Sequence, residues 1–162
     1  MPNLGIEVTT GGNRSINSLP KAFREAMPEA AAAGITITAY IDDQLPLGES
    51  FRAFVVSDAD KQTVLAASAI RTDIGTLDWY VFSGGDFTAF TPVNGTTYLF
   101  GVVSNSVAGA NAYSQDLGED GWTGGGAISS IDPLVLGTAM TADTARDYSI
   151  YMTYTADAGG GP

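Results

Sequence analysis

Nine consecutive residues, Asp147-Tyr148-Ser149-Ile150-Tyr151-Met152-Thr153-Tyr154-Thr155, alternate with period two almost without a break. Tyr148, Ile150, Met152 and Tyr154 fall on one face, and Ser149, Tyr151, Thr153 and Thr155 on the other. Side chains of an extended strand point alternately to opposite faces, so this spacing predicts a strand with one side against a core and the other toward water. Half-buried strands of this kind point to an antiparallel β-sandwich.

Length and composition agree with one such domain. A chain of 162 residues with 44% hydrophobic side chains is large enough for a single core. Thr, Val, Ile, Tyr and Phe are plentiful, 20 glycines and 7 prolines punctuate the chain, and only 15% of residues are charged, a balance that favours strands and turns and argues against disorder. The cations Arg14, Lys21, Arg24, Arg52, Lys61, Arg71 and Arg146 face 18 carboxylates, for a net charge of −11. Neutralising a phosphate backbone takes a basic stripe, and none is present, so DNA and RNA are excluded as partners. An anionic membrane surface is disfavoured for the same reason. The acidity is expected to keep a protein of many copies dispersed until it meets its site.

Without cysteine there are neither disulfides nor thiolate metal sites. The first twenty residues lack a basic segment followed by an apolar one, and Pro20 is followed by Lys21, Arg24 and Glu25, so synthesis in the cytoplasm is expected. No run approaches the roughly 18 apolar residues of a membrane helix.

Along the chain, Gly5-Ile6-Glu7-Val8-Thr9 predicts a first edge strand that stops at Gly11-Gly12-Asn13. Residues 21–33 are rich in helix formers, but Pro28 interrupts them at a cost of about 3 kcal/mol in mid-helix, and a strand over residues 22–27 followed by a loop is preferred. Ile35, Ile37, Ala39 and Ile41 alternate with Thr36, Thr38 and Tyr40 as a half-buried strand. Residues 51–57 and 64–71 read as a hairpin around Asp58-Ala59-Asp60-Lys61, residues 77–82 as a further strand, and residues 87–91 as a short one. After the turn dipeptide Asn94-Gly95, residues 96–104 are apolar on both faces, which predicts a central strand. Residues 108–130, with four single or clustered glycine sites and the large side chains Tyr113 and Trp122, read as a long loop. About eight or nine short strands result, in an all-β antiparallel sandwich of jelly-roll type. Residues 1–33 are expected as N-terminal strands or a docking segment packed on it, residues 34–155 as the sandwich, and residues 156–162 as a flexible tail, whose Gly159-Gly160-Gly161-Pro162 end could alternatively dock.

Three blocks in order carry a resemblance. They are Ala33-Gly34-Ile35-Thr36-Ile37-Thr38-Ala39-Tyr40-Ile41; then Phe51-Arg52-Ala53-Phe54-Val55-Val56-Ser57-Asp58 with Val64-Leu65-Ala66-Ala67-Ser68 and Gly95-Thr96-Thr97-Tyr98-Leu99-Phe100-Gly101-Val102; then Asp132-Pro133-Leu134 with Gly137-Thr138-Ala139 and residues 146–155. Their order and spacing resemble jelly-roll modules that recur in bacteriophage virion proteins and in some bacterial surface proteins. The chain departs from that pattern before residue 34 and in the acidic segment Gln115-Asp116-Leu117-Gly118-Glu119-Asp120. The resemblance implies a non-enzymatic virion protein, made in the host cytoplasm, that decorates a capsid or tail and binds its proteins as a homo-oligomer. The alternative is a carbohydrate-binding or host-adhesion module.

Candidate site residues follow from side-chain chemistry. With no histidine and no cysteine, Ser-His and Cys-His nucleophile pairs are excluded. Paired carboxylates could hydrolyse a glycoside, but Asp78 and Asp86, near Trp79 and Tyr80, are more simply turn or solvent-face residues, and no enzymatic activity is expected. No cofactor is expected, with a structural calcium as the alternative. Asp42-Asp43, Asp58 with Asp60, and Asp116 with Glu119 and Asp120 offer oxygen ligands, yet none matches the twelve-residue loop with glycine at its sixth position. Tyr113 and Trp122 are candidates for stacking on a glycan or anchoring a partner, the other reading being that Trp122 caps one end of the sandwich. Phe23 and Met27 are read as either core or partner contact.

Overall fold

The computed structural model describes residues 2–7, 9–43, 48–106, 110–115 and 121–158. Two antiparallel sheets pack face to face, as the alternating strands require. Among the described residues there are fifteen β segments, more and shorter than eight or nine, because several strands are interrupted. They are β1 (Asn3–Gly5), β2 (Gly12–Ser15), β3 (Lys21–Ala26), β4 (Ala31–Asp43), β5 (Phe51–Ser57), β6 (Val64–Ala67), β7 (Asp78–Phe82), β8 (Thr97–Ser104), β9 (Ala110–Gln115), β10 (Gly121–Gly124), β11 (Ser130–Ile131), β12 (Leu134–Val135), β13 (Met140–Asp143), β14 (Asp147–Tyr148) and β15 (Ile150–Ala156).

The six-stranded sheet runs β13-β10-β3-β8-β5-β6. The seven-stranded sheet is organised around β4, the longest strand at 13 residues. One edge of β4 is occupied first by β15 and then by β9, while the other edge pairs with β7. β1 borders β15, and β2 and β14 border β9.

The alternating segment takes the form its spacing predicts. Tyr148, Ile150, Met152 and Tyr154 are fully buried between the sheets, and Tyr151 and Thr153 are only partly covered. Ser149 is the exception: it is buried at the break between β14 and β15, where its carbonyl accepts the Tyr40 amide. From the six-stranded sheet Phe23, Phe51, Val55, Phe100 and Val102 meet them, with Phe23 stacked on Phe100 at 5.3 Å between ring centroids.

β8 is central, as its two apolar faces predict, and everything after Thr97 in it is buried. Tyr98, Phe100 and Val102 point into the main core, while Leu99 and Val103 point the other way, into a second apolar cluster with Ala22, Phe54, Val56 and Ala67. That second cluster lies on the outer face of the six-stranded sheet and is roofed by Leu134, Leu136 and Met140, with Ile128 and Ile131 packed beside them. The roof is the small β11-β12 hairpin and its flanks. Arg52 fastens it: its Nε donates to the Ser68 carbonyl at 2.7 Å, and its Nη1 to the Ile131 carbonyl at 3.0 Å and to Asp132 at 2.9 Å. Between the two clusters, Gly101 is required by close approach, because a Cβ there would stand 2.3 Å from the Lys21 carbonyl oxygen of β3.

Three local readings are corrected. Residues 85–88 form a short 3-10 turn that buries Phe87, where a strand over 87–91 is predicted. The strand over residues 22–27 is present as β3, but the alanines after it begin β4 and are not loop. The glycine-rich region 108–130 contains β9, β10 and the start of β11. In each case pairing with a distant strand, or the burial of one ring, overrides what the neighbouring residues favour.

Candidate functional site

Among the described residues no segment roofs the outer face of β4, β7 and β15 in the seven-stranded sheet. Its residues follow from the register. Thr36, Thr38 and Tyr40 project outward from β4, Trp79 and Val81 from β7, and Tyr151 and Thr153 from β15, with Trp79 opposite Tyr40, Val81 opposite Thr38, and Thr153 opposite Thr36. Ser83 and Thr155 continue the same face. Every one of these side chains is uncharged, on a chain of net charge −11. The charges resume at the rim, with Asp42 two residues beyond Tyr40.

Three rings form the centre of this face. Trp79 lies 5.1 Å from Tyr40 and 5.4 Å from Tyr151, centroid to centroid, the second pair edge-on. β7 and β15 flank opposite edges of β4, roughly 10 Å apart at about 4.8 Å per strand, so the Trp79 and Tyr151 rings meet by leaning over the middle strand. Thr38 lies beneath them and is 4% exposed, although it faces outward. All three rings remain half-buried, and Val81 beside them is 50% exposed.

The trio is held from below. Arg71 donates from Nη1 to the Val81 carbonyl at 2.6 Å, stacks its guanidinium 5.3 Å from the Tyr80 ring centroid and 5.9 Å from that of Phe82, and is itself gripped by Asp73 at 2.8 and 2.6 Å. These contacts fix β7 and hence Trp79. Next to the trio, a groove of about 280 Å³ is lined by Gly34, Thr36, Ser83, Gly84, Thr88, Thr153 and Thr155, together with the backbone neighbours Ile35 and Tyr154. The hydroxyls of Thr36 and Thr153 hydrogen-bond to each other on its floor.

A second polar cluster sits inside one end of the sandwich. Lys21 donates to Thr123 and lies 5.7 Å from the centre of the Tyr148 ring, and the Tyr148 hydroxyl donates to Asp143 at 2.7 Å, as does Arg146 at 3.3 Å. Burial pulls the Lys21 ammonium below its usual value, with Asp143 opposing, and burial together with the Asp143 bond pushes the Tyr148 phenol up. At Asp143 burial raises the carboxyl, but the bonds from Tyr148 and Arg146 outweigh it and leave it lowered. Each charge here has a partner inside the fold, the arrangement of a structural network.

Of the residues singled out in the sequence, Phe23, Met27 and Trp122 lie elsewhere. Phe23 and Met27 are 5% and 1% exposed and belong to the main core, so neither offers a surface to a partner. They sit on or next to an interior strand whose inward positions are covered by the opposing sheet. Trp122 stands on β10 between Ala22 and Ala142, half-buried against the second apolar cluster, with the Lys61 ammonium 5.7 Å from its ring centroid. It packs on the outer face of the six-stranded sheet, and not over an end of the sandwich. Tyr113 is placed on β9 opposite Asn13, and its side chain is outside the described residues.

Among the carboxylates, Asp58 is forked to Arg24 at 2.7 and 2.8 Å, and Asp60 accepts the amides of Gln62 and Thr63 and the Thr63 hydroxyl. Asp60 therefore braces its own turn, and Asp58 ties that turn to β3. Asp78 accepts the Trp79 amide at 2.7 Å and Asp86 the Ala67 amide at 3.4 Å. Among the described residues no three metal-ligating side chains stand together. Asp116, Glu119, Asp120 and the glycine-rich end lie outside the described residues, as does the side chain of Asp43.

Sequence reading missed the trio because its members come from three segments. The available signal was the water-facing set of each alternating strand: Tyr40 among threonines, Tyr151 among Ser and Thr, and Trp79 between Leu77 and Val81. No protein-family model matches the chain, and no curated protein matches it.

Proposed function

We propose that this chain is a non-enzymatic accessory protein of a bacteriophage particle, a jelly-roll decoration protein made in the host cytoplasm. In this reading it docks as a homo-oligomer on capsid or tail proteins. The observation that carries the reading is the exposed apolar surface beside the edge strand β6, whose Ala67 amide is taken by Asp86 while Leu65 remains outward. This strand ends the six-stranded order, and edge strands present backbone groups that another chain can pair with. Leu65 on β6 is 44% exposed and Val135 on β12 is 45% exposed, and Gln62, Thr63, Val64 and residues 134–136 line a groove of about 310 Å³ between the two strands. Apolar side chains beside an open edge suit a protein lattice held by packing and backbone contacts.

Purified particles of the encoding phage should contain the chain in a copy number that matches a lattice symmetry, measured by quantitative mass spectrometry. Leu65→Asp should strip it from particles while its circular dichroism stays that of a β protein. A chain absent from particles ends the reading. The alternative, a carbohydrate-binding or adhesion module, is favoured by a different observation: the uncharged aromatic trio on the opposite layer.

A further inference from the structure

We infer that the open face of the seven-stranded sheet binds a neutral oligosaccharide, with sugar rings stacked on Trp79, Tyr40 and Tyr151 and a neighbouring unit in the groove at Gly34. The inference goes beyond the particle reading and does not rest on it.

Aromatic rings are costly to leave at a wet surface unless something covers them, and a pyranose offers the matching shape: an apolar C–H face for the rings and hydroxyls around its edge. Here the two halves of that match are adjacent. The rings lie on one side, and Thr36, Ser83, Thr88 and Thr153 supply hydroxyls on the other. Each hydroxyl can donate once and accept twice, so the bond between Thr36 and Thr153 leaves most of their capacity for a ligand. The groove, at about 280 Å³, is near the ~300 Å³ where small-molecule clefts begin.

Charge selects the class of sugar. No cation stands on this face, and the chain carries −11 overall, so phosphorylated, sulfated and uronic-acid polymers are repelled. An apolar protein surface fits less well, since it would offer nothing to the remaining acceptor sites of Thr36, Thr153 and Thr88 or to the Ser83 hydroxyl, whereas water and sugar hydroxyls can bond to them. The site is also preformed. Trp79 is fixed by two ring contacts and by the Arg71 clamp under β7, so little side-chain freedom is lost on binding.

The test uses the full chain and four neutral probes, maltohexaose, cellohexaose, mannohexaose and hexa-N-acetylchitohexaose, by calorimetry and tryptophan fluorescence. Trp122→Phe leaves Trp79 as the sole reporter. At least one probe should bind and shift the Trp79 emission. Trp79→Ala and Tyr151→Ala should each weaken it by about tenfold or more, a full decade in Kd, and Trp122→Phe should leave affinity unchanged. Trp79→Phe, which keeps a ring, covers the case in which Trp79→Ala fails to fold, and should give an intermediate loss. Silence of all four probes at about 10 mM, binding that survives loss of the Trp79 and Tyr151 rings, binding abolished by Trp122→Phe, or self-association that requires Trp79 without any sugar binding would each overturn the inference.

Discussion

The two sheets of this sandwich treat their outer faces in opposite ways. On the six-stranded sheet Leu99, Val103, Phe54 and Val56 face outward and are covered by the residues around the β11-β12 hairpin, which Arg52 fastens down. On the seven-stranded sheet Thr36, Thr38, Tyr40, Trp79 and Tyr151 face outward, with no roof over them among the described residues. The difference follows from side-chain chemistry. A branched or phenyl side chain gains only by leaving water, whereas threonine, tyrosine and tryptophan pair an apolar body with a polar tip and tolerate a half-wet surface. A covered face is spent on stability, and an open one is free to meet a ligand.

Removing a side chain beneath the roof should do the greatest damage. Phe54 is fully buried there, and Phe54→Ala is expected to lower unfolding free energy by about 3–5 kcal/mol in urea titrations. Unfastening the roof comes next. Arg52→Met deletes two bonds to carbonyls and one to a carboxylate, and is expected to cost about 1.5–3 kcal/mol. Amide exchange in residues 128–136 should accelerate, and an apolar dye should bind. If exchange there stays unchanged, the guanidinium is not the fastener and the contrast between faces loses its cause.

Trp79→Ala strips the open face and should cost less, about 1–1.5 kcal/mol for its ring contacts. A loss as large as that of Phe54→Ala would show that the trio is core in disguise.

Acid gives the smallest effect and reaches both faces. Asp58 is held below the usual carboxylate range by the hydrogen bonds from Arg24, and Asp60 is held down at about 2 by the Thr63 hydroxyl and amide and the Gln62 amide. Both lie in the turn that carries Lys61 beneath Trp122. Carboxyls depressed in the folded state stabilise it fully above their unfolded value, about 3.9, and that contribution is lost as pH falls through the folded values toward about 2. Exposed pairs such as Arg24–Asp58 are worth only ~0.2–1 kcal/mol. Asp73 is held low in the same way by the hydrogen bonds from Arg71, the clamp under Trp79. Between about pH 4 and pH 2, Trp122 emission, read in Trp79→Phe, and Trp79 emission, read in Trp122→Phe, should therefore both change. An emission that stays constant would show that its ion pair does not hold the ring.

What could be read from the sequence was whatever a single strand decides for itself. The burial of Tyr148, Ile150, Met152 and Tyr154, the central place of residues 97–104 and the turn at Asn94-Gly95 all follow from local spacing. What escaped depends on neighbours far along the chain. Gly121, Trp122, Thr123 and Gly124 look like loop until β3 and β13 are on either side of them, and Phe23 looks like an available ring until Phe100 is found against it. The trio is the extreme case, since no one of its strands shows that two rings will meet over a third.

The pairing of β4 with β15 has a consequence for how the molecule comes into being. Thr36 meets Thr153 across a separation of 117 residues, and β15 also brings Ile150, Met152 and Tyr154 to the interior. A nascent polypeptide emerging in order therefore holds most of one side of its longest strand bare until residues 150–156 have been synthesised. Closure is then a late, concerted event, slow by the rule that distant pairings delay folding and exposed to wrong partners while it waits.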